Sequence, residues 1–584
     1  MTKSLLSGNE AIARGAWEAG VSVAAGYPGT PSTEILEYVS AKFRDDIYCE
    51  WSPNEKVAFE VAAGAALTGA RVITTMKHVG LNVAADPLMT LAYTGTVGGF
   101  IAIVADDPGM HSSQNEQDTR RFAQFAKIPV LEPASSDEAK EFIKVGMELS
   151  EKFQTPIILR STTRISHSKG LVELQDRNVA PKATGFEKNP PRFVPIPAWA
   201  RQMRVRLEER LGLMRKEASE SPLNTIEWKD DKSLGIITSG IAYQYVKEAF
   251  PEASVLKLGW SFPFPDDLIR KFADGVEKLL IVEELEDFIE EHVKALGYKC
   301  EGKSIVPNIG ELTPEILQDI KAKLQRENQP TAAAPLPNLP QLPPRPPVLC
   351  PGCPHRGIFF SLGKFDVVVT GDIGCYSLGV MPPLSRLDTI LCMGAGISMA
   401  HGMDKAKNPK KVVGILGDST FFHSGITGLL DIAYNNGGAT IIVLDNRITA
   451  MTGHQENPGT GRTLMETDTN VASIEEIGKA VGIKNTAVVE PRNVKETVAV
   501  LKTAIESPEP WLIVSKSPCP LHVRKPIGPP LRVNLDKCKR CGLCLKLGCP
   551  GIEKEGDAVR VNPLLCAGCE MCKNLCPVQA IDGL

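Results

Sequence analysis

Residues 412–446 constrain the fold of this chain more than any other stretch. Two short apolar runs, at 412–416 and 440–444, are rich in β-branched residues and flank a segment with apolar residues at helical spacing. This pattern predicts a strand, a helix and a second strand. Strands that are apolar on both faces are typical of a parallel sheet covered by helices, so we predict an α/β fold with doubly wound sheets.

Each of the two predicted strands ends in polar residues. Gly417 and Asp418 follow the first strand, and Asp445 and Asn446 follow the second. In doubly wound sheets, ligands bind outside the carboxyl ends of the strands. A carboxylate, an amide oxygen and backbone carbonyls are hard oxygen ligands, so these residues suit Mg²⁺ that carries a phosphorylated cofactor.

The residues after Asp418 offer a second anchor for such a cofactor. The backbone N–H groups of Ser419 and Thr420 would lie at a helix N-terminus, which is favourable for a diphosphate. An ordinary strand–helix–strand unit, in which Asp418 and Asn446 only cap turns and helices, also explains the pattern. This stretch alone leaves both interpretations open.

Length, composition and charge limit the possible classes of protein. With 584 residues the chain is too long for one core, and about four domains are expected. The net charge of −4 gives no indication of a nucleic acid or a membrane surface as partner. No apolar run reaches the roughly 18 residues that span a bilayer, and the first residues lack the apolar segment of a signal peptide.

Two runs of cysteines near the C-terminus carry the most specific signal. They read C-x2-C-x2-C-x4-C-P, from Cys538 to Cys549, and C-x2-C-x2-C-x3-C-P, from Cys566 to Cys576. Two [4Fe–4S] clusters need four thiolates each, and in such double runs the fourth cysteine of each run ligates the other cluster. The predicted ligands are Cys538, Cys541, Cys544 and Cys576 for one cluster, and Cys566, Cys569, Cys572 and Cys549 for the other.

Alternatives exist for these runs. Two zinc knuckles would place their ligands in pairs rather than in triplets followed by Cys-Pro. Four residues instead of three precede Cys549, which leaves open whether Cys549 is a ligand and whether the second cluster holds four irons. Cysteines at metal-ligand spacings favour a cytoplasmic metalloprotein over a secreted protein with disulfide bonds.

Residues 52–75 predict a capped helix followed by a strand. Ser52 or Asn54 can cap this helix, whose many Ala and Gly residues allow close packing. Glu55 lies in the first turn, where an acidic side chain usually only complements the helix dipole.

Three loops that follow predicted strands carry polar residues. The first, at 26–35, is stiffened by Pro and Gly; its Ser32 can cap a helix, and its Thr30 hydroxyl could bind the carboxylate of a small acid. The other two loops contain His78 and Asn82, and His111. A single histidine in a loop is more often solvated than catalytic, so His78 and His111 are candidates for the substrate pocket only. Asn82 is a third such candidate.

Together these stretches resemble the thiamine diphosphate enzymes, and among them the 2-oxoacid:ferredoxin oxidoreductases. The thiamine motif, GDG followed later by NN or DN, is matched at 417–418 and 445–446, with Ser419 in place of the third glycine. The residues NEKVA at 54–58 resemble the pyrimidine-binding half of these enzymes. The resemblance implies that Glu55 hydrogen-bonds N1′ of the aminopyrimidine and helps to generate the nucleophile.

The same resemblance implies further site residues. The Ile448 carbonyl would join Asp418 and Asn446 as a Mg²⁺ ligand, and the CPGC loop at 350–353 looks like the start of the diphosphate-binding domain. The spacing of Cys350 and Cys353 also occurs in structural zinc sites, but no second cysteine pair lies within the range that such a site needs. It also occurs in thioredoxin-type redox pairs, but such a pair normally follows a strand and opens a helix. The implied cofactor-binding residues are Cys353, Gly374, Cys375, Gly417, Asp418, Ser419, Thr420 and Asn446. The implied substrate pocket contains Thr30, Ser32, His78, Asn82 and His111.

A tract rich in Pro and Ala marks the clearest domain boundary. The predicted domains are a pyrimidine-binding domain at 1–175, a helical, solvated connector at 176–232, a small α/β domain like the C-terminal domain of transketolases at 233–328, the Pro-rich linker at 329–347, a diphosphate- and Mg²⁺-binding domain at 348–526, and a ferredoxin domain with two [4Fe–4S] clusters at 527–584.

The combination implies oxidative decarboxylation in which electrons leave one at a time through the clusters. By resemblance, the chain is the catalytic alpha subunit, binds thiamine diphosphate and Mg²⁺, and converts aryl pyruvates such as indolepyruvate with coenzyme A as acyl acceptor. A beta subunit would supply a missing domain of roughly 200 residues, in an α₂β₂ assembly that reduces an external ferredoxin. The alternatives are the same chemistry on pyruvate or branched-chain 2-oxo acids, and a non-catalytic electron-transfer subunit.

Overall fold

The computed structural model describes residues 2–178, 185–326, 347–523 and 527–583. The predicted linker at 329–347 lies, except for its last residue, outside the described residues. The chain divides into two compact units, Met1–Pro337 and Asn338–Leu584, which are described separately. None of the described helices is both long and apolar enough to cross a membrane.

The first unit alternates strands and helices. Its strands are β1 (Thr2–Ser7), β2 (Val23–Gly26), β3 (Tyr48–Trp51), β4 (Val72–Lys77), β5 (Phe100–Asp106), β6 (Val130–Leu131), β7 (Ile157–Thr162), β8 (Lys169–Leu174), β9 (Asn224–Glu227), β10 (Leu234–Ser239), β11 (Ser254–Leu258), β12 (Trp260–Phe262) and β13 (Lys278–Val282). Its helices are α1 (Gly8–Glu18), α2 (Thr33–Phe43), α3 (Glu55–Leu67), α4 (His78–Val83), α5 (Ala85–Thr94), α6 (Thr119–Ala126), α7 (Ser136–Phe153), α8 (Thr163–His167), α9 (Pro190–Phe193), α10 (Pro197–Glu220), α11 (Ala242–Ala249), α12 (Asp266–Ala273), α13 (Phe288–Ala295) and α14 (Pro314–Arg326).

The main sheet of this unit has the strand order β12-β6-β7-β5-β4-β2-β3. All neighbouring strands are parallel except β12, which runs antiparallel to β6. Every residue of β4, β5 and β7 is buried, as expected for a parallel sheet with helices on both faces. The predicted α/β fold is therefore confirmed for this unit.

The stretch predicted as a separate small domain is joined to this sheet. It forms a second sheet, in the order β13-β10-β11-β9, whose strand β9 comes from the predicted connector, and its strand β12 belongs to the main sheet. A buried ion pair adds a second link, because Arg120 of α6 lies 2.8 Å from Glu283, which follows β13. Arg120 also binds Asp118, so the guanidinium has two carboxylates as counter-ions.

The connector helix α10 is less solvated than its alternating charges suggested. One side of it is buried through Met203, Leu207, Leu211, Met214 and Ala218, which recur at intervals of three or four residues. This spacing forms a single apolar stripe, and the charged residues occupy the remaining faces.

The second unit contains a parallel sheet with the order β14-β15-β16-β18-β17 and two small antiparallel pairs, β19–β22 and β20–β21. Its strands are β14 (Val368–Thr370), β15 (Val412–Gly417), β16 (Thr440–Asp445), β17 (Asn485–Val489), β18 (Trp511–Lys516), β19 (Leu531–Val533), β20 (Ile552–Glu555), β21 (Ala558–Val561) and β22 (Ile581–Gly583). Its helices are α15 (His355–Leu362), α16 (Ala395–Lys405), α17 (Asp418–Thr420), α18 (Ile426–Tyr434), α19 (Ile474–Ala480), α20 (Val494–Glu506), α21 (Pro520–Val523) and α22 (Met571–Leu575).

The strand–helix–strand unit predicted at 412–446 is present. Strands β15 and β16 are adjacent and parallel, and all their residues are buried. The C-terminal segment shares a core with the rest of this unit, because Phe360 of α15 and Val494 of α20 pack in one cluster with Leu531, Leu547 and Ile581.

Candidate functional site

Glu55 is a buried carboxylate at the start of α3, with 6% of the residue exposed. Asn54 caps the helix, because its Oδ1 accepts a hydrogen bond from the Val57 N–H at 2.9 Å. Gly80 of α4 lies so close that a Cβ there would be 2.6 Å from Glu55 Oε1. A carboxylate that only complemented the helix dipole would remain in water, so its burial favours a role at a bound ligand.

The loop before α2 contains two of the predicted pocket residues. Ser32 Oγ donates to the Gly29 carbonyl at 2.8 Å, so this hydroxyl does not cap α2 as the sequence suggested. The Thr30 carbonyl accepts from Ser112 Oγ at 3.1 Å, which connects this loop to the loop after β5. Both loops lie at the carboxyl ends of parallel strands of one sheet, β2 and β5, which flank β4, and ligands bind at such ends in this fold.

The other three pocket candidates differ in burial. His78 is buried; its Nε2 lies 3.2 Å from the Asn115 carbonyl, and its Nδ1 has no hydrogen-bond partner in the described part of the chain. Asn82 is exposed and donates to Gln117 Oε1 at 3.0 Å, and His111 is about half exposed. The structure thus places Asn82 and His111 at the surface of this unit, apart from the buried group.

Lys77, the last residue of β4, was not predicted from the sequence as a pocket residue. Its side chain is buried, and Nζ donates to the Ser112 carbonyl at 2.7 Å. Burial lowers the pKa of this lysine to about 8. The available signal was a charged residue at the end of an otherwise uncharged strand, VITTMK, because a buried charge needs a partner or a ligand.

Asp418 follows β15 and is buried. Its Oδ1 accepts from the Ser419 N–H at 2.8 Å, and its Oδ2 accepts from the Ile448 N–H at 3.2 Å. Burial, and then the neighbouring Asp445 carboxylate, raise the pKa of Asp418 to about 7. A divalent cation would stabilise two such carboxylates, so the donor set fits Mg²⁺.

Asn446 and Ile448 lie beside Asp418. Asn446 Oδ1 accepts from the same Ile448 N–H at 3.3 Å, so the side chains of Asp418 and Asn446, two of the predicted Mg²⁺ ligands, meet at the backbone of Ile448. The N–H of Ser419, which was predicted to face a diphosphate, donates to Asp418 instead. The helix expected after Asp418 contains a π-helical segment, Phe421–Gly425, a feature that is frequent at functional sites.

Three predicted cofactor residues surround the ring of Tyr376. A Cβ at Gly374 would lie 2.4 Å from this ring, and one at Gly417 would lie 2.9 Å from it. Tyr376 also donates to Thr420 Oγ1 at 3.5 Å. The close approach that these two glycines permit is therefore an approach to an aromatic side chain, not only to a ligand.

Four cysteines outside the C-terminal runs lie near one another. Burial, followed by the neighbouring Cys519 thiol, raises the pKa of Cys350, and burial together with Cys350 and Cys519 raises the pKa of Cys375 to about 11. Burial raises the pKa of Cys353 to about 12. Cys519 was not singled out from the sequence, although the predicted domain at 348–526 contains all four cysteines. The assignment of Cys353 and Cys375 to thiamine diphosphate stays a prediction.

Two small cavities in the C-terminal segment are lined by the remaining predicted ligands. One cavity is lined by Cys538, Cys541, Cys544 and Cys576, and the other by Cys549, Cys566, Cys569 and Cys572. Each takes three cysteines from one run and the fourth from the other, and ligation itself stays a prediction. The additional residue before Cys549 is accommodated in a 3₁₀ turn that ends at Gly548 with φ +63°.

Within the described residues, no three Cys, His, Asp or Glu side chains converge on a point where a single metal ion could bind. This observation does not conflict with the cluster prediction. The thiolates of a [4Fe–4S] cluster each bind a different iron, so they surround the cluster rather than converge.

Comparison with known protein families identifies a domain in each of the two units. Residues 14–214 match the family model described as "Pyruvate flavodoxin/ferredoxin oxidoreductase, thiamine diP-bdg", and residues 372–515 match "Thiamine pyrophosphate enzyme, C-terminal TPP binding domain". The first match contains Glu55, and the second contains Asp418 and Asn446. The predicted thiamine diphosphate-binding domains are therefore confirmed.

Three relatives named "Indolepyruvate oxidoreductase subunit IorA" match almost the whole chain. The protein of Thermococcus kodakarensis is 43% identical over 99% of this chain and 97% of its own length. The proteins of Pyrococcus abyssi and Methanothermobacter marburgensis are 43% and 42% identical, each over 99% of this chain and 96% of their own length. The resemblance to ferredoxin-dependent oxidoreductases of 2-oxo acids is confirmed, and the chain belongs to the family of the indolepyruvate oxidoreductase subunit IorA.

Proposed function

We propose that the chain is the catalytic alpha subunit of an enzyme that oxidatively decarboxylates aryl pyruvates, with indolepyruvate converted to indoleacetyl-CoA and CO₂. The observation that carries this proposal is the match to relatives of that name along 99% of the chain. One 2-oxo acid, one coenzyme A and two oxidised ferredoxins give one acyl-CoA, one CO₂, two reduced ferredoxins and one proton.

Thiamine diphosphate, when bound, supplies the nucleophilic carbon for the keto group and accepts the electrons that CO₂ leaves behind. Glu55 exchanges a proton with N1′ of the aminopyrimidine, and its buried position strengthens that hydrogen bond. The side chains of Asp418 and Asn446 and the Ile448 carbonyl hold Mg²⁺, which offsets the charges of Asp418 and Asp445.

The cysteine sets provide the route by which the electrons leave. The two cysteine-lined cavities are the proposed sites of two [4Fe–4S] clusters. The neighbouring thiols of Cys350, Cys353, Cys375 and Cys519 are the proposed ligands of a further cluster. Each turnover releases two electrons, whereas a ferredoxin accepts one. Several one-electron centres in one chain can therefore pass the two electrons on one at a time. No disulfide bond joins any of the fifteen cysteines in the described residues, which supports the proposal of a reducing, cytoplasmic location.

The proposed assembly contains a beta subunit, which supplies the missing domain, and has the composition α₂β₂. Coenzyme A and an external ferredoxin are the proposed co-substrates. Pyruvate or a branched-chain 2-oxo acid as substrate, and a non-catalytic role in electron transfer, are the competing hypotheses. Retention of Glu55, Asp418 and Asn446 in buried positions favours a catalytic chain over the last of these.

The decisive experiment is anaerobic turnover of the chain co-expressed with its beta subunit. Reduction of a viologen dye is followed with indolepyruvate, phenylpyruvate and pyruvate, each with and without coenzyme A. We expect reduction that depends on coenzyme A and prefers aryl substrates. Preference for pyruvate would contradict the substrate assignment, and failure of every 2-oxo acid to reduce the iron–sulfur centres would contradict the catalytic role.

Glu55→Gln tests the catalytic assignment within the same assay. This variant keeps the size of the side chain but loses its proton exchange, so we expect turnover to fall about 100-fold or more. Glu60→Gln on the same helix is the matched control, because Glu60 is about half exposed.

A further inference from the structure

Lys77 places a buried positive charge at the carboxyl end of β4. The residue is 8% exposed; its Nζ donates to the Ser112 carbonyl at 2.7 Å and lies 3.4 Å from Ser112 Oγ. An ammonium group has three N–H donors, so these contacts leave a donor for another acceptor. The group has no carboxylate at ion-pair distance in the described part of the chain, and the charged residue that acts on it is Asp107.

The carboxylate of Asp107 is engaged by other residues. Its Oδ2 accepts from the Ser112 N–H at 2.8 Å and from Ser113 Oγ at 2.6 Å, and its Oδ1 accepts from Thr163 Oγ1 at 2.7 Å. Asp107 therefore raises the pKa of Lys77 only from a distance, and burial outweighs it, which leaves that pKa at about 8. A buried ammonium without a counter-ion is unfavourable unless a ligand supplies one.

The surroundings of Lys77 belong to the predicted active site. A Cβ at Gly29 would lie 3.2 Å from the Lys77 Cβ, so the loop before α2 packs directly against this lysine. The next residue, His78, is buried, and no described residue hydrogen-bonds to its Nδ1. Gly80, on the same short helix, contacts the Glu55 carboxylate. Lys77 and Glu55 therefore lie at the same edge of one parallel sheet, where ligands bind.

We propose that the Lys77 ammonium binds the carboxylate of the 2-oxo acid substrate. This inference rests on the proposed function, because it takes a 2-oxo acid as the ligand. The carboxylate is common to all 2-oxo acids, so Lys77 would select this class over neutral ketones, and the aryl group would be recognised elsewhere. A charge-assisted hydrogen bond from a buried ammonium provides this selectivity. The competing explanation is structural: Lys77 would only tie down the loop after β5 through Ser112.

Lys77→Gln in the assembled enzyme separates these explanations, because glutamine can still donate to the Ser112 carbonyl but carries no charge. We expect the KM for phenylpyruvate to rise about 10- to 100-fold, with a smaller change in kcat. Inhibition by 3-phenylpropionate should weaken by a similar factor. Inhibition by phenylacetone, which has a methyl group in place of the carboxylate, should remain unchanged. Lys152→Gln is the control, since Lys152 is exposed.

The pH profile provides a second readout that a structural role would not change. Only the ammonium form binds an anion, so the wild-type KM should rise above about pH 8, and Lys77→Arg should shift this rise to higher pH. Equal weakening of both inhibitors, or an unchanged KM in Lys77→Gln, would overturn the proposal. A wild-type enzyme that turns over no 2-oxo acid would instead overturn the proposed function.

Discussion

Arg356 donates a hydrogen bond from Nη1 to the carbonyl oxygen of Gly548 at 2.6 Å. The same guanidinium donates from Nε to the Cys350 carbonyl at 3.2 Å and from Nη1 to the Leu547 carbonyl at 3.0 Å. It is buried, and it connects the CPGC loop to the residue that precedes Cys549. One cation therefore links two sets of cysteines that are proposed to hold anionic clusters.

Replacement of Arg356 by Met should loosen this link. Several buried carbonyls would lose their donor, and at about 1 kcal/mol each we expect a loss of about 3 kcal/mol in the free energy of unfolding. We also expect fewer irons per chain, measured by iron content and by electron paramagnetic resonance of the reduced enzyme. Arg356→Lys keeps the charge but loses the forked geometry, so its loss should be intermediate.

Arg560→Gln is the control for this prediction, because Arg560 is more than half exposed on β21. Iron content and stability of Arg356→Met that equal those of the control would show that the two cysteine sets do not depend on this contact.

The interleaved cysteine sets predict a pattern of paired losses. Cys549→Ser should remove iron from the same cluster as Cys566→Ser, although the two residues belong to different runs. The double variant should therefore lose no more iron than either single variant, whereas Cys549→Ser combined with Cys538→Ser should lose both clusters. Iron content and spectra of the reduced protein measure this. Greater loss in the first double variant than in each single variant would mean that each run holds its own cluster.

The sequence predicted the elements that depend on local patterns. The strands at 412–416 and 440–444 follow from runs of β-branched residues, and the grouping of the eight C-terminal cysteines follows from their fixed spacing. Asp418 and Asn446 were found because the end of a predicted strand is a defined position in this fold. These features need only a few neighbouring residues to be recognised.

Contacts between distant residues were not predictable in this way. The addition of β12 to the main sheet depends on pairing with β6, and the Arg120–Glu283 pair joins residues that no local pattern relates. Lys77 and Cys519 were missed because each is a single residue outside any motif. The roles proposed for them rest on burial and on the residues that surround them.

Glu284 makes the stability of the first unit depend on pH. Burial raises its pKa from 4.5 to about 7, although Arg160 opposes this shift, and its Oε1 accepts from the Leu312 N–H at 3.1 Å. Because the pKa is higher in the folded state, the folded chain binds more protons between these two values. The stabilising contribution is complete below about pH 4.5 and is lost as the pH rises through about 7.

Glu284→Gln should abolish the loss of stability at high pH. Glutamine keeps an oxygen that can accept from the Leu312 N–H, and it carries no charge at any pH. We expect the variant to match the wild type near pH 5 and to be more stable at pH 8, by roughly 1–3 kcal/mol. Thermal unfolding at both pH values measures the difference, with Glu286→Gln as an exposed control in the same loop. An equal effect at both pH values would show that Glu284 does not titrate in this range.

Gly80 lies against the Glu55 carboxylate, so we expect that a methyl group added at position 80 lowers the activity. In Gly80→Ala the added Cβ would lie 2.6 Å from Glu55 Oε1, so the carboxylate must move. A displacement of this kind from the N1′ hydrogen bond should lower kcat about 10- to 100-fold. The thermal midpoint should change little, because the three nearest atoms, Oε1, Cγ and Cδ, all belong to the Glu55 side chain, which can change its rotamer.

Gly64→Ala on α3 is the matched control for this steric argument. A Cβ at Gly64 meets no atom of the described residues within 4 Å, so this variant should keep full turnover and gain up to about 1 kcal/mol from the lower entropy of the unfolded chain. The test compares turnover of phenylpyruvate with the melting temperature in both variants. If Gly80→Ala kept wild-type turnover, the position of the Glu55 carboxylate would not limit the reaction. If it lost turnover and stability together, the effect would be on packing rather than on Glu55.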